Sequence, residues 1–223
     1  MYCGVHSMSN SQSSIVTRIV LLRHGITQGE SCFRGSTDFA LTRTGLEQMR
    51  AATADLKGIE HVISSPLGRC RDFAAEYSKT NSIDLTINDD FREIDFGDWD
   101  GKDKQAVWNE DQTQLSAFWR DPWKSPPPNG EAMQTFDERV QSGWKRTLDE
   151  HQGKTLLVVT HGGVIKQLLR SVLEMPKNTA HLQRLNIPFA AVVPLSIYRD
   201  EKGHLWPELL WSGFRDTTQF CRL

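Results

Sequence analysis

Ile15-Val16-Thr17-Arg18-Ile19-Val20-Leu21-Leu22, running straight into Arg23-His24-Gly25, is the stretch from which the fold can be read. Its β-branched residues crowd a helix but suit a pleated strand. The apolar run at its end, without alternation, marks a strand buried on both faces of a parallel sheet. A second such run, Thr155 to Thr160, leads into His161-Gly162-Gly163. Between the two, helical and extended patterns alternate. Thr42 can cap a helix carrying Leu46, Met49, Thr53 and Leu56 at helical spacing, with Gly58 after it, and His61 to Ser64 is a short strand. Pro66 suits the first turn of a helix through Arg69, Phe73 and Tyr77, and Ile83 to Ile87 follows as a third strand. This βαβαβ opening predicts a three-layer α/β/α fold with a mostly parallel central sheet and right-handed crossovers.

The second half continues the pattern with one interruption. After the acidic-aromatic segment Phe91 to Gly101, residues Lys102 to Trp119 read as one or two short helices, and Ser125 to Gly130 is a Pro-rich loop. Met133, Phe136, Val140, Trp144 and Leu148 mark an amphipathic helix ending by Gly153. Val164, Ile165, Leu168, Leu169, Val172 and Leu173 mark another, which stops before Pro176. Ala190 to Ile197 and His204 to Trp211 are expected to close the sheet around a turn at Asp200 to Gly203. With no internal repeat and no second core, a single domain over residues 15–223 is expected, preceded by a Ser-rich disordered tail, 1–14, in which Met8 is an alternative start.

Composition narrows the function. The 223 residues are 38% hydrophobic and 24% charged with a net charge of −2, and Lys and Arg are scattered rather than gathered in a stripe, so nucleic acid is not an expected partner. No apolar run approaches the roughly 18 residues of a membrane span. Cys3, Cys32, Cys70 and Cys221 lie far apart, without the spacing of a zinc knuckle or disulfide framework, and the start lacks a secretory signal, so reduced thiols and a cytoplasmic location are expected. His6, His61, His151, His181 and His204 have no ligand spacing, and no metal or cofactor is predicted. Monomer and dimer both stay open.

Two histidines occupy equivalent places, each just past the end of a buried strand and each followed by glycine. Parallel strands put those ends on one side of the sheet, so His24 and His161 should converge. Arg23 abuts His24, and Arg69 follows the second strand onto the same edge. Two guanidinium forks and two imidazoles would enclose a phosphate, with the amides of Gly162 and Gly163 at a helix N-terminus adding fixed positive potential. A neutral imidazole can attack phosphorus in line if a backbone carbonyl holds its other nitrogen, and His24 is the nucleophile expected here. Two charges about 4 Å apart attract by roughly 4 kcal/mol at an effective dielectric of 20, so several cations would stabilise the transferring group without a metal. Glu93, in the loop after the third strand, is placed to protonate the leaving oxygen and then to activate water, with Asp95 and Asp98 as competing carboxylates.

These residues fall into five ordered blocks: Leu22-Arg23-His24-Gly25; Gly35 with Asp38, Leu41-Thr42 and Gly45; Ser64-Ser65-Pro66-Leu67-Gly68-Arg69; Arg92 to Trp99; and Val158 to Gly163. Together they resemble the histidine phosphatase, or phosphoglycerate mutase-like, superfamily. The resemblance implies that His24 becomes the phosphohistidine, that Arg23, Arg69 and His161 bind phosphate with Thr27 keeping the usual hydroxyl of that loop, and that Glu93 is the proton donor. Many relatives carry Asn where this chain has Glu30. The segment Phe118-Trp119 through Pro127-Pro128-Asn129-Gly130-Glu131, with Phe136 and Arg139-Val140, is most similar to the α-ribazole phosphatases of cobalamin assembly. It implies a metal-independent phosphomonoesterase acting on a small phosphate ester such as α-ribazole 5′-phosphate, with Trp108, Trp119 or Trp123 stacking on its ring. A broad-specificity phosphatase, a phosphoglycerate mutase and a catalytically silent phospho-ligand binder are the alternatives.

Overall fold

β1, Ile15–Arg23, lies at the heart of the sheet, and its burial pattern shows why the apolar run was needed. Ile19 and Leu21 point to one hydrophobic core and Val20 and Leu22 to another, so both faces of the strand are covered. The computed structural model describes residues 15–29 and 31–211. The expected tail 1–14, together with Cys3, His6, Glu30 and Cys221, lies outside the described residues.

In chain order β1 is followed by α1 (Arg43–Thr53), β2 (His61–Ser64), α2 (Gly68–Asn81), β3 (Leu85–Ile87), α3 (Lys104–Arg120), α4 (Met133–Glu150), β4 (Thr155–Thr160), α5 (Gly162–Val172), α6 (Ala180–Arg184), β5 (Val192–Arg199) and β6 (Leu205–Leu209). The sheet order is β3-β2-β4-β1-β5-β6. The first four strands are mutually parallel, while β5 runs antiparallel to β1 and β6 antiparallel to β5. Met49 of α1 and Phe73 of α2 pack on Val20, Leu22, Leu157 and Val159. Residues of α3, α4 and α5, among them Phe118, Val140 and Leu168, pack on Ile19, Leu21, Leu156 and Val158. This is the expected three-layer α/β/α arrangement.

Local details depart from the sequence expectations for identifiable reasons. Pro66 sits before α2 rather than in its first turn, because Leu67 is the capping residue and Asp38 reaches across to accept the Gly68 amide at 2.7 Å. α1 stops at Thr53, short of Leu56, with the Thr53 hydroxyl bonded back to the Met49 carbonyl. The third strand is shorter than expected, since Ser82 takes a left-handed conformation and Ile83 still belongs to the helix exit. Lys104–Arg120 is a helix kinked at Asp111, whose carboxylate accepts the Trp99 indole N–H. β5 begins at Val192 rather than Ala190, and β6 spans less than His204 to Trp211.

Topology places the site. α1 leaves β1 toward one face and α5 leaves neighbouring β4 toward the other, which opens a crevice at the strand ends between them. The register pairs Arg23 with Thr160, and the His24 amide donates to the Thr160 carbonyl at 3.0 Å, so His24 and His161 emerge side by side. Just beyond, the chain passes α1 at backbone contact: a Cβ on Gly25 would fall 2.0 Å from the Gly45 carbonyl oxygen. Gly25→Ala is therefore expected to destabilise the fold by about 3 kcal/mol in urea unfolding, the upper range for overpacking. An unchanged midpoint would show that the two segments can part freely.

Candidate active site

His24 is buried, yet it lines a cavity of about 750 Å³. Its Nδ1 lies 2.9 Å from the Gly25 carbonyl oxygen, an arrangement satisfied when Nδ1 carries the proton and donates it. Nε2 then holds the lone pair and has no partner among the described residues. Burial first, then the Arg69 guanidinium and more weakly Arg23 and Arg34, pushes the imidazole down to about 3 against the pull of the Gly25 carbonyl. The ring is thus neutral at ordinary pH.

Arg23, Thr27 and Glu93 line the same cavity. Arg23 donates to the Ile187 carbonyl at 2.5 Å and lies 4.1 Å over the Phe189 ring, while its buried Nε has no partner. The buried Thr27 hydroxyl is likewise unpartnered. Orphaned polar atoms of this kind cost free energy unless a ligand or water meets them. Gly162, the first residue of α5, packs against this guanidinium: a Cβ there would sit 3.3 Å from Arg23 Nε. Gly163 departs from expectation, because its amide is not turned to the cavity but donates to Glu93 Oε2 at 2.9 Å.

Arg69 and His161 are fully buried and stand behind His24 rather than lining the cavity. The His24 and His161 rings meet edge to face with centroids 5.3 Å apart. Arg69 Nε–H donates to His161 Nδ1 at 3.2 Å, which leaves Nε2–H of His161 to donate to the Ser65 hydroxyl at 2.7 Å. The rest of the Arg69 fork holds the Thr37 and Gly35 carbonyls at 2.9 and 2.7 Å. Burial, then Arg69 and His24, holds His161 well below the usual histidine range.

Neutral buried imidazoles link stability to pH. His24 and His161 stay unprotonated in the fold while the unfolded chain takes up a proton at each near pH 6.5, so stability is complete above that value and is lost as pH falls. Each contributes a slope of up to about 1.4 kcal/mol per pH unit. Urea unfolding between pH 6 and 5 should report uptake of more than one proton, and a flat stability over that range would contradict the neutral assignment.

Of the tryptophans proposed for stacking, Trp119 lines the cavity, with Phe33, Phe96 and Phe189. Trp108 does not, and Trp123 packs instead beside His181, with Arg170 and Lys177 over its ring. Sequence reasoning missed Arg34, Lys104 and Phe189, all on the cavity wall. Arg34 directly precedes Gly35 of the second motif block, a signal present in the sequence, whereas Lys104 and Phe189 belong to segments whose approach to the site is a tertiary matter.

The histidine phosphatase superfamily (branch 1) model matches residues 19–206, and the chain belongs to that superfamily. Bifunctional protein Rv2228c of Mycobacterium tuberculosis is 33% identical over 189 residues, which are 82% of this chain and 51% of that protein, so the chain spans about half the length of this relative. Adenosylcobalamin/alpha-ribazole phosphatase of Escherichia coli K12 is 30% identical over 163 residues, 71% of this chain and 80% of that one. The alpha-ribazole phosphatase structure from Shigella flexneri superposes with a TM-score of 0.74 at 26% identity, covering 86% of this chain and 94% of that one. Mycobacterial glucosyl-3-phosphoglycerate phosphatase Rv2419c shares the fold with a TM-score of 0.76 at 23% identity, over 87% and 97% of the two chains. No helix among the described residues is long and apolar enough to cross a membrane.

Proposed function

We propose that the chain is a phosphomonoesterase that carries the phosphoryl group on His24 and delivers it to water. The observation that carries this reading is a neutral His24, its Nδ1 held by the Gly25 carbonyl, on the wall of a cavity also lined by Arg23 and Thr27, whose Nε and hydroxyl lack partners. Both atoms are donors of the kind a phosphate oxygen accepts.

In the first step Nε2 of His24 bonds to phosphorus as the bond to the leaving oxygen breaks, and Glu93 gives that oxygen its proton. In the second, Glu93 takes a proton from water, whose oxygen bonds to phosphorus while the P–N bond breaks. Arg23 and Thr27 hold the phosphoryl oxygens. Arg69 acts from behind, adding positive field, and neutral His161 braces it and helps fix the floor of the site. Arg23 and Arg69 supply positive charge to the transferring group, and turnover is expected to persist in a chelator.

The substrate proposed is a small phosphate ester with a planar ring, α-ribazole 5′-phosphate first among them. Trp119 on the cavity wall and the two relatives named as alpha-ribazole phosphatases support it. A panel of α-ribazole 5′-phosphate, sugar phosphates, aryl phosphates and a phosphoglycerate tests the choice. The expected result is a preference in kcat/KM for α-ribazole 5′-phosphate of about 10-fold or more, the scale of one lost packing contact in a binding pocket. Comparable rates across the panel would make the enzyme a general phosphatase, and isomer exchange in excess of phosphate release would make it a mutase.

A further inference from the structure

Arg139 of α4 reaches beneath the loop that carries Glu93 and binds three of its carbonyl oxygens. One terminal nitrogen, Nη1, donates to Asp90 and Arg92, both at 2.8 Å, and the other, Nη2, donates to Glu93 itself at 3.0 Å. Glu131 holds the fork from the far side, with Nε–Oε1 at 2.6 Å and Nη2–Oε2 at 2.8 Å, and both side chains are largely buried. Glu131 is tied to the same loop, since its amide donates to the Asp95 carbonyl at 2.9 Å and its carboxylate accepts the Asp95 amide at 3.3 Å.

We infer that the Arg139–Glu131 pair is a positioning device for Glu93, setting the backbone from which its carboxyl group reaches the leaving oxygen. The inference rests on Glu93 acting as the proton donor. The carboxylate is fixed from the opposite side by α5, through the Gly163 amide, and a Cβ on Gly163 would fall 2.2 Å from Oε1. Two helices therefore grip the residue, α4 by its backbone and α5 by its side chain. A planar fork with five donors suits this task, because an ammonium group cannot hold three carbonyls and a carboxylate in one plane. General acid catalysis needs the proton within hydrogen-bond reach, and displacement by about 1 Å costs on the order of 100-fold.

A pair that only staples the fold would lower activity alike on every substrate, whereas a pair that aims an acid matters in proportion to the proton the leaving group needs. The test compares kcat/KM on a simple alkyl phosphate and on 2,4-dinitrophenyl phosphate for Arg139→Met, Arg139→Lys and Glu131→Gln, with Glu93→Gln in parallel. Arg139→Met is expected to lose about 50-fold on the alkyl ester and less than about 3-fold on the dinitrophenyl ester, with inhibition by inorganic phosphate unchanged. Glu131→Gln should show the same pattern at smaller amplitude, and Arg139→Lys should not restore the alkyl rate. Should Arg139→Met fail to fold, Glu131→Gln decides. Equal losses on both esters, weakened phosphate inhibition, or no loss would overturn the inference. If Glu93→Gln is sensitive to the leaving group and the Arg139 and Glu131 variants are not, only the positioning role falls; if Glu93→Gln is itself insensitive, the proton-donor assignment falls and the inference with it.

Discussion

His24→Ala is expected to lower kcat by at least about 10⁴-fold while leaving inorganic phosphate bound, the scale seen when a covalent nucleophile is removed. The loss should be chemical rather than structural. The ring contributes one hydrogen bond to the Gly25 carbonyl and ring contacts with His161 and Phe189, so its removal leaves a small void between strands that are held by β1–β4 pairing. Arg23 and Thr27 remain to hold phosphate, and Arg69 and His161 keep their own partners. Steady-state kinetics with phosphate as inhibitor separate the two effects. Residual turnover above about 1% of wild type would move the nucleophile elsewhere.

Glu93→Gln should cost about 10³-fold in kcat/KM on an alkyl ester, within the usual range for general acid–base catalysis, and far less on an ester whose leaving group departs without a proton. The amide is isosteric, and its carbonyl oxygen can still accept from Gly163, so the loop geometry should persist. A uniform loss would assign Glu93 to binding. Asp95 and Asp98, the competing carboxylates, are engaged otherwise: Asp95 accepts the Gly97 amide and the Ser36 hydroxyl, and Asp98 accepts from Asn129. Neither lines the cavity that holds His24.

The parts of this protein most legible in sequence were those governed by period and position. The apolar run before Arg23 read as a central strand because it is buried on both faces, and the two strand ends converged because β1 and β4 are adjacent and parallel. Thr42 announced its helix because a hydroxyl cap is a local event, and it accepts the Gly45 amide as expected. What stayed hidden was relational. Asp38, thirty residues away in the chain, caps α2 and displaces Pro66 from the helix. Arg69 reads as a phosphate ligand by its place in a motif, and its additional bonds to Thr37, Gly35 and His161 are visible only in the fold. The Gly163 amide reads as free at a helix start until Glu93 folds back onto it. Three tryptophans were equivalent in composition, and tertiary packing alone put Trp119 on the cavity wall.

The proposed reaction passes through a covalent bond between phosphorus and one nitrogen of His24. Rapid acid-free quenching during turnover of a radiolabelled phosphate ester, followed by digestion and peptide mapping, measures it directly. Label is expected on the peptide containing His24, stable to alkali and released by acid, approaching one group per chain as substrate saturates. Turnover with no protein-bound label, or label mapped to another residue, would contradict it.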